Sequence, residues 1–336
     1  MKRSAKWLFL ALCVVFLLAE VGGAFAQKVY GFVTPGPDTW YKKTVDGFVY
    51  AAEKVGAKTI VLNSDYNAEK EIANIDSLIN QGVDGMVMFS FNPNGANIAA
   101  QKCAKAGIPL VVEGNCGQAL KSGFDIVGCV DFDWAQIGTD VAKHIAATYA
   151  GENVAVIMGL FEHVPVQFAR GAFEKETALL GKNKIVAMRD GKYDPTEAVN
   201  QAQDLVQSGQ KFTVLFIFNE EMGAAVVRML KTRNLLNNPI KVITTNGAPY
   251  GSELIKDGSI KWSISTSPGW DGMIDLATLH AYVTGKTTKK NQQIMMPNVP
   301  ITPQTINDKT KVVPWDVDPV WFELTKKYFP QFNGLF

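Results

Sequence analysis

Apolar residues in this chain come in short unbroken runs, separated by stretches where they recur every three or four positions. Val29 to Val33 is the first run and reads as a buried strand. A polar Pro/Gly turn, Thr34 to Thr39, follows it. Val45, Phe48, Val49, Ala52 and Val55 then form one helical stripe that Gly56 ends, with Asp38 or Thr39 as the N-cap. Trp40 and Tyr41 sit where turn becomes helix. Two adjacent large aromatics cannot both enter one helix–sheet interface, so at least one is expected to face the carboxyl end of the strand. Ligands bind there in open parallel sheets.

The same alternation continues along the chain. Strands are predicted at 59–62, 85–89, 108–112 and 126–130, with helices between them ending at Gly82 and Gly107. After Asp131 the pattern restarts. Helices are predicted at 134–149, 166–180, 196–207 and 222–231, and strands at 154–158, 185–188, 214–218, 242–245 and 260–265. A short helix through Lys256 and a longer one from Pro268 to near Gly285 complete the series. Apolar strands joined by single amphipathic helices are the signature of parallel sheets covered on both faces. The expected fold is α/β, with two doubly wound parallel-sheet (Rossmann-like) domains. Beyond Pro297 the chain is rich in Pro and Asn, and Trp315, Trp321 and Phe322 are expected to dock this tail onto a domain.

The N-terminus sets the compartment. Lys2, Arg3 and Lys6 precede an apolar stretch from Trp7 to Ala19, and Ala24-Phe25-Ala26 is an A-x-A cleavage pattern. A cleavable signal peptide over residues 1–26 is expected, placing the mature chain in the periplasm. An uncleaved anchor is the lesser reading, because the apolar run is short for a span and Glu20 interrupts it. Loss of three basic residues and Glu20 turns the formal charge from +1 to −1. That balance leaves no electrostatic footprint for nucleic acid or anionic membrane. Of the mature cysteines, Cys103, Cys116 and Cys129, the last two either bridge the loop between two predicted strands or stay free. No C-x-x-C or H-x-x-x-H spacing suggests a metal.

Residues just past each strand end converge on the crevice in this architecture. They are Asp38, Trp40, Tyr41, Ser90, Asn92, Glu113, Asn115, Asp131, Asp133 and Trp134, then Phe161 with Arg170, Tyr193, Asn219, Asn246 and Thr266. Carboxylates, amides and an arginine suit vicinal hydroxyls, and aromatic faces suit the C–H surface of a sugar or polyol. Each residue also has a plainer reading. Asn219, Asn246 and Asp133 are well placed as helix caps, Tyr193 as a staple at a helix start, and Arg170 as a solvated helix residue. No G-x-G-x-x-G, Walker A or G-x-S-x-G pattern supports catalysis, so no catalytic residue and no cofactor are assigned. Of the three histidines only His163 falls in a loop on the crevice side; His144 and His280 fall within helices.

The stretches TWYKKTVDGF, VLNSDYNAEKEIANIDSLINQGVDGM, AGIPLVVEGN, GCVDFDWAQIG, FARGAF, FIFNEEMGAAV and VITTNGAP resemble the type I periplasmic sugar-binding proteins of ABC importers, the ribose-binding-like group. The resemblance runs from about Lys28 to Pro300. It implies two domains joined by a three-strand hinge, 27–131 with 266–298 and 132–265 with 299–304, plus an extension over 305–336. It places Asp38, Trp40, Tyr41, Asn115, Asp133, Arg170, Tyr193, Asn219, Asn246 and Thr266 in the interdomain cleft. The implied partners are a small neutral polyhydroxylated solute and an ABC permease, or a sensor kinase, with the protein a monomer. Gly114-Asn115 stands where many members carry Asp-Arg, and Asn246 where sugar binders usually carry aspartate. Thr266 stands where a longer amide is usual, and together these departures point away from an ordinary pentose or hexose and toward a polyol, deoxy-sugar or other small neutral solute.

Overall fold

The computed structural model describes residues 27–90 and 93–336. The expected signal peptide and Asn92 lie outside the described residues. Five strands build most of the first sheet: β1 (Val29–Thr34), β2 (Lys58–Asn63), β3 (Gly85–Phe89), β4 (Leu110–Glu113) and β5 (Gly128–Phe132). A late strand, β11 (Gln292–Met296), completes it in the order β11-β5-β4-β3-β1-β2, all parallel. Strand alternation divides the core. Tyr30 and Phe32 of β1 pack with Phe48 on one face, whereas Val33 packs with Ile75 and Leu78 on the other.

Helix α1 (Thr39–Lys54) pairs on the first face with α10 (Pro268–Val283). The pair meets backbone to backbone. A Cβ on Gly47 would stand 1.8 Å from the Gly269 carbonyl oxygen, and one on Gly272 would stand 1.9 Å from that of Thr44. On the other face are α2 (Ala68–Asn80), α3 (Pro93–Ala106) and the short α4 (Cys116–Ala119).

The second sheet is parallel, ordered β7-β6-β8-β9, from β6 (Asn153–Met158), β7 (Lys184–Asp190), β8 (Val214–Ile217) and β9 (Lys241–Ile243). Helices α5 (Trp134–Thr148) and α6 (Val164–Leu180) pack together, and Gly138 admits the Ala169 carbonyl as the glycines of α1 and α10 admit theirs. Helices α7 (Pro195–Gln207) and α8 (Glu220–Thr232) form a second packed pair. A short helix α9 (Ser252–Lys256) precedes β10 (Ser263–Ser265), which pairs antiparallel with β12 (Val299–Ile301).

The chain therefore passes between the two α/β bodies three times: after β5, between β10 and α10, and between β11 and β12. Asn298 on the third passage donates from Nδ2 to the Asp133 carbonyl on the first, at 3.2 Å. Strands β11 and β12, and helix α11 (Val320–Tyr328) of the tail, were not expected from the apolar pattern. The predicted strand at 126–130 begins two residues later, at Gly128. Among the described residues no helix is long and apolar enough to cross a membrane.

Candidate ligand-binding site

A cavity of about 790 Å³ opens between the two bodies at the carboxyl ends of both parallel sheets. Asp38, Trp40 and Tyr41 enter it from the start of α1. Asp38 caps that helix by accepting from Tyr41 N at 3.1 Å and also takes a hydrogen bond from the Tyr66 hydroxyl at 2.7 Å. Trp40 meets Trp315 edge-on at 5.3 Å and Phe132 at 5.9 Å, with Trp134 at 6.3 Å. Tyr41 stands edge-on to Phe89, 4.8 Å away, and burial with nearby Asp38 raises its hydroxyl pKa.

Gly114 and Asn115 follow β4 in consecutive left-handed conformations, φ +64° and +51°. They turn the chain sharply into the cavity wall, where Asn115 donates to the Ser90 carbonyl at 3.0 Å. Cys116 and Cys129 form a disulfide that ties this turn to β5, settling the open cysteine question; Cys103 is free and buried. Asp133 caps α5 through Gln136 N at 2.8 Å and lines the cavity as well.

The second body contributes Tyr193, Asn219 and Asn246. The Tyr193 hydroxyl pairs with His163 Nδ1 at 2.8 Å, and burial lowers that histidine's pKa to about 4, keeping it neutral. Asn219 caps α8 through Met222 N. Asn246 occupies φ +93° with its Oδ1 buried and unpaired. Behind it Glu220 is buried and accepts from Thr244 Oγ1 at 3.1 Å, Gly247 N at 3.0 Å, Ala248 N at 3.1 Å and the Ser263 hydroxyl. Burial pushes its carboxyl up to about 7 against the pull of those donors.

Three residues expected at the crevice, Phe161, Arg170 and Thr266, stand outside the cavity lining. Arg170 lays its guanidinium over the Phe161 ring, 4.8 Å from the centroid, and is outside the cavity lining. Val164, Pro165 and Phe168 are the α6 residues in the lining, and Arg170, two positions beyond Phe168, is turned about 200° from it. Thr266 is fully buried one layer behind, its N and Oγ1 both donating to the Asn246 carbonyl at 2.9 and 3.1 Å. It holds the residue that reaches the cavity. The apolar pattern gave no sign of Phe168, Glu221, Tyr250, Gln293 or Met295 in the lining. Tyr250 and Glu221 follow strand ends and were reachable by the same rule; Gln293 and Met295 arrive on a strand that was not foreseen.

The charge of the site is one-sided. Asp38, Glu113, Asp131, Asp133 and Glu221 line it against Lys121. Under Glu113 and Asp131 lie buried Asp271 and Asp275 of α10. Burial and mutual repulsion push Asp131 to about 7 and raise Glu113 and Asp275 well above the usual range; burial alone pushes Asp271 to about 7. Asp131 still accepts from Trp134 Nε1 and Phe132 N, at 2.9 and 2.8 Å. A floor of this kind repels an anion and offers hydroxyl-matching groups in protonated or ionised form.

Residues 30–287 match the model of the periplasmic binding protein domain. The ribose import binding protein of Salmonella typhimurium is 26% identical over 224 residues, 66% of this chain and 73% of that protein. The xylitol-binding protein of Mycolicibacterium smegmatis is 24% identical over 281 residues, covering 82% and 76% respectively. A solute-binding protein of Bacillus halodurans C-125, solved with bound myo-inositol, superposes with a TM-score of 0.74 at 17% identity, covering 86% of this chain and 99% of its own. Two parallel α/β bodies, three passages between them, a cavity at the strand ends and a family match across most of the chain make this protein a periplasmic binding protein of the type I architecture.

Proposed function

We propose that this protein is the substrate-binding component of an ABC importer, taking a small neutral polyhydroxylated solute in the cleft between its two bodies. The observation that carries this reading is the meeting of Asp38, Trp40, Tyr41, Asn115, Asp133, Tyr193, Asn219 and Asn246 around one cavity. Amide and carboxyl groups alternate there with aromatic faces, the pairing that suits hydroxyls and C–H surfaces of one ring or chain. The carboxyl-rich floor disfavours sugar acids and phosphates. Relatives named for ribose and xylitol, and a structural neighbour holding myo-inositol, support the solute class.

The domains are 27–131 with 266–298 and 132–265 with 299–304, and the three passages act as the hinge. Solute touching both bodies stabilises the closed form, and a membrane permease reads that form. The mature protein is a periplasmic monomer released by cleavage after Ala26, and it binds without chemistry. Thermal unfolding of residues 27–336 against ribose, arabinose, allose, xylitol, myo-inositol, amino acids and nucleosides tests this. A solute at a hundred times its Kd adds about 2.7 kcal/mol, a shift of several degrees in Tm. A response to one sugar or polyol is expected. A response confined to amino acids or nucleosides overturns the solute class and leaves the fold.

A further inference from the structure

After β12 the chain returns to the cleft. The matched family segment ends at residue 287, and residues 302–336 run back across the passage between β10 and α10. There Val313 N donates to Ser265 Oγ at 3.0 Å, and Ser267 Oγ donates to the Pro314 carbonyl at 2.6 Å. Trp321 Nε1 donates to the same carbonyl at 3.0 Å, and Trp270 Nε1 donates to Thr325 Oγ1 at 2.9 Å. Gly269 has no Cβ where one would stand 2.4 Å from the Trp315 carbonyl oxygen. These fastenings fix Trp315 in the cavity lining against Trp40.

Trp315 differs from the two tryptophans beside it. Trp321 and Trp270 anchor the segment, and each indole N–H has an acceptor. Trp315 lines the cavity, and its buried N–H has none. A buried donor without an acceptor opposes folding unless something else pairs with it. In the lining of the same cavity Asn246 Oδ1 is a buried acceptor without a donor.

We propose that Trp315 is a ligand-contact residue delivered by the C-terminal segment, its ring covering a C–H face of the solute and its N–H donating to a solute oxygen. The proposal rests on the solute reading above and narrows it. A hydroxylated ring or chain both accepts from Trp315 and donates to Asn246. A carboxylate does only the first and meets the acidic floor.

The test uses residues 27–336 labelled with 5-fluorotryptophan, with myo-inositol, xylitol, D-ribose, L-glutamine and adenosine as probes. Trp315→Phe assigns the fluorine resonance and removes the N–H while keeping a ring; Trp315→Ala removes the face too. The probe that binds is expected to shift the Trp315 resonance and leave that of Trp262, which stacks on His144 at 4.5 Å. Trp315→Phe is expected to raise Kd about tenfold, one hydrogen bond's worth, with the unliganded unfolding midpoint unchanged. Trp321→Phe separates contact from anchoring, since it cuts a bond outside the cavity, lowers the midpoint and raises Kd less. A polyol that binds Trp315→Phe and Trp315→Ala as it binds wild type, with the resonance unmoved, overturns the proposal and spares the solute reading. Binding of glutamine or adenosine alone overturns the solute reading, and the same two readouts on that compound decide whether Trp315 contacts ligand.

Discussion

Glu220 carries the turn that presents Asn246, and its replacement by glutamine has a calculable cost. The carboxylate receives two backbone donors on different oxygens, Gly247 N on Oε1 and Ala248 N on Oε2. An amide offers one oxygen, so one of those N–H groups must face an NH₂. Thr244 and Ser263 can rotate their hydroxyls; a backbone N–H cannot. A buried donor so orphaned costs about 1–3 kcal/mol. With an unfolding slope of about 3 kcal/mol/M, a loss of about 2 kcal/mol lowers the urea midpoint by about 0.7 M. Urea unfolding at pH 8, above the value of about 7 to which burial brings Glu220, measures this. Glu253→Gln is the control, because Glu253 is an exposed partner of Lys256 in α9. Loosening the turn should also weaken solute binding. If Glu220→Gln unfolds with the control, the carboxylate is not what fastens the turn, and the assignment of Asn246's position to it is wrong.

Two further outcomes follow from the site. Cys116→Ala with Cys129→Ala, or reduction of the wild type, opens a link across 13 positions and should cost about 3 kcal/mol by the loop-entropy relation; equal urea midpoints for oxidised and reduced protein would exclude this. The buried carboxyls predict falling stability as pH rises from 6.5 to 8. Asp131 and Asp271, at about 7 in the fold, hold protons there that the unfolded chain has already released. The lowered values of His144 and His163 act oppositely, but below their unfolded value of 6.5. Asp271→Asn should flatten the slope, and a midpoint that climbs through this window contradicts the assignment.

Much of this architecture is legible in the sequence because parallel strands buried on both faces announce themselves as apolar runs. From β1 to β9 the expected and observed strands overlap, with ends displaced by at most two residues. β11 and β12 gave no such signal. Gln292 and Gln293 open one, and Pro300 sits at the centre of the other, tolerated because β12 pairs on one side with β10 alone. Most of the residues named by the strand-end rule line the cavity. The rule failed at Arg170, where helix phase rather than strand position decides direction, and at Thr266, where the loop is two layers deep. Glu220 reads in sequence as a first-turn helix acid, and nothing local shows that a loop 24 to 28 residues later will bury it. Trp315 was visible as an anchor; its place in the cavity depends on where the tail is fastened.

The pairing of β11 with β5 governs the order in which this molecule can assemble. Gln292 lies beside Gly128 and Met296 beside Phe132, so the edge of the first sheet waits for chain made more than 160 residues later. Helix α10, which closes over α1, is almost as late. The second body, built from residues in between, has all four of its strands before either arrives. Folding therefore cannot run from the N-terminus domain by domain: the body that starts first finishes last. Until then β5 presents a bare edge and α1 a bare glycine seam, a contact order that slows folding and exposes the chain to misassembly.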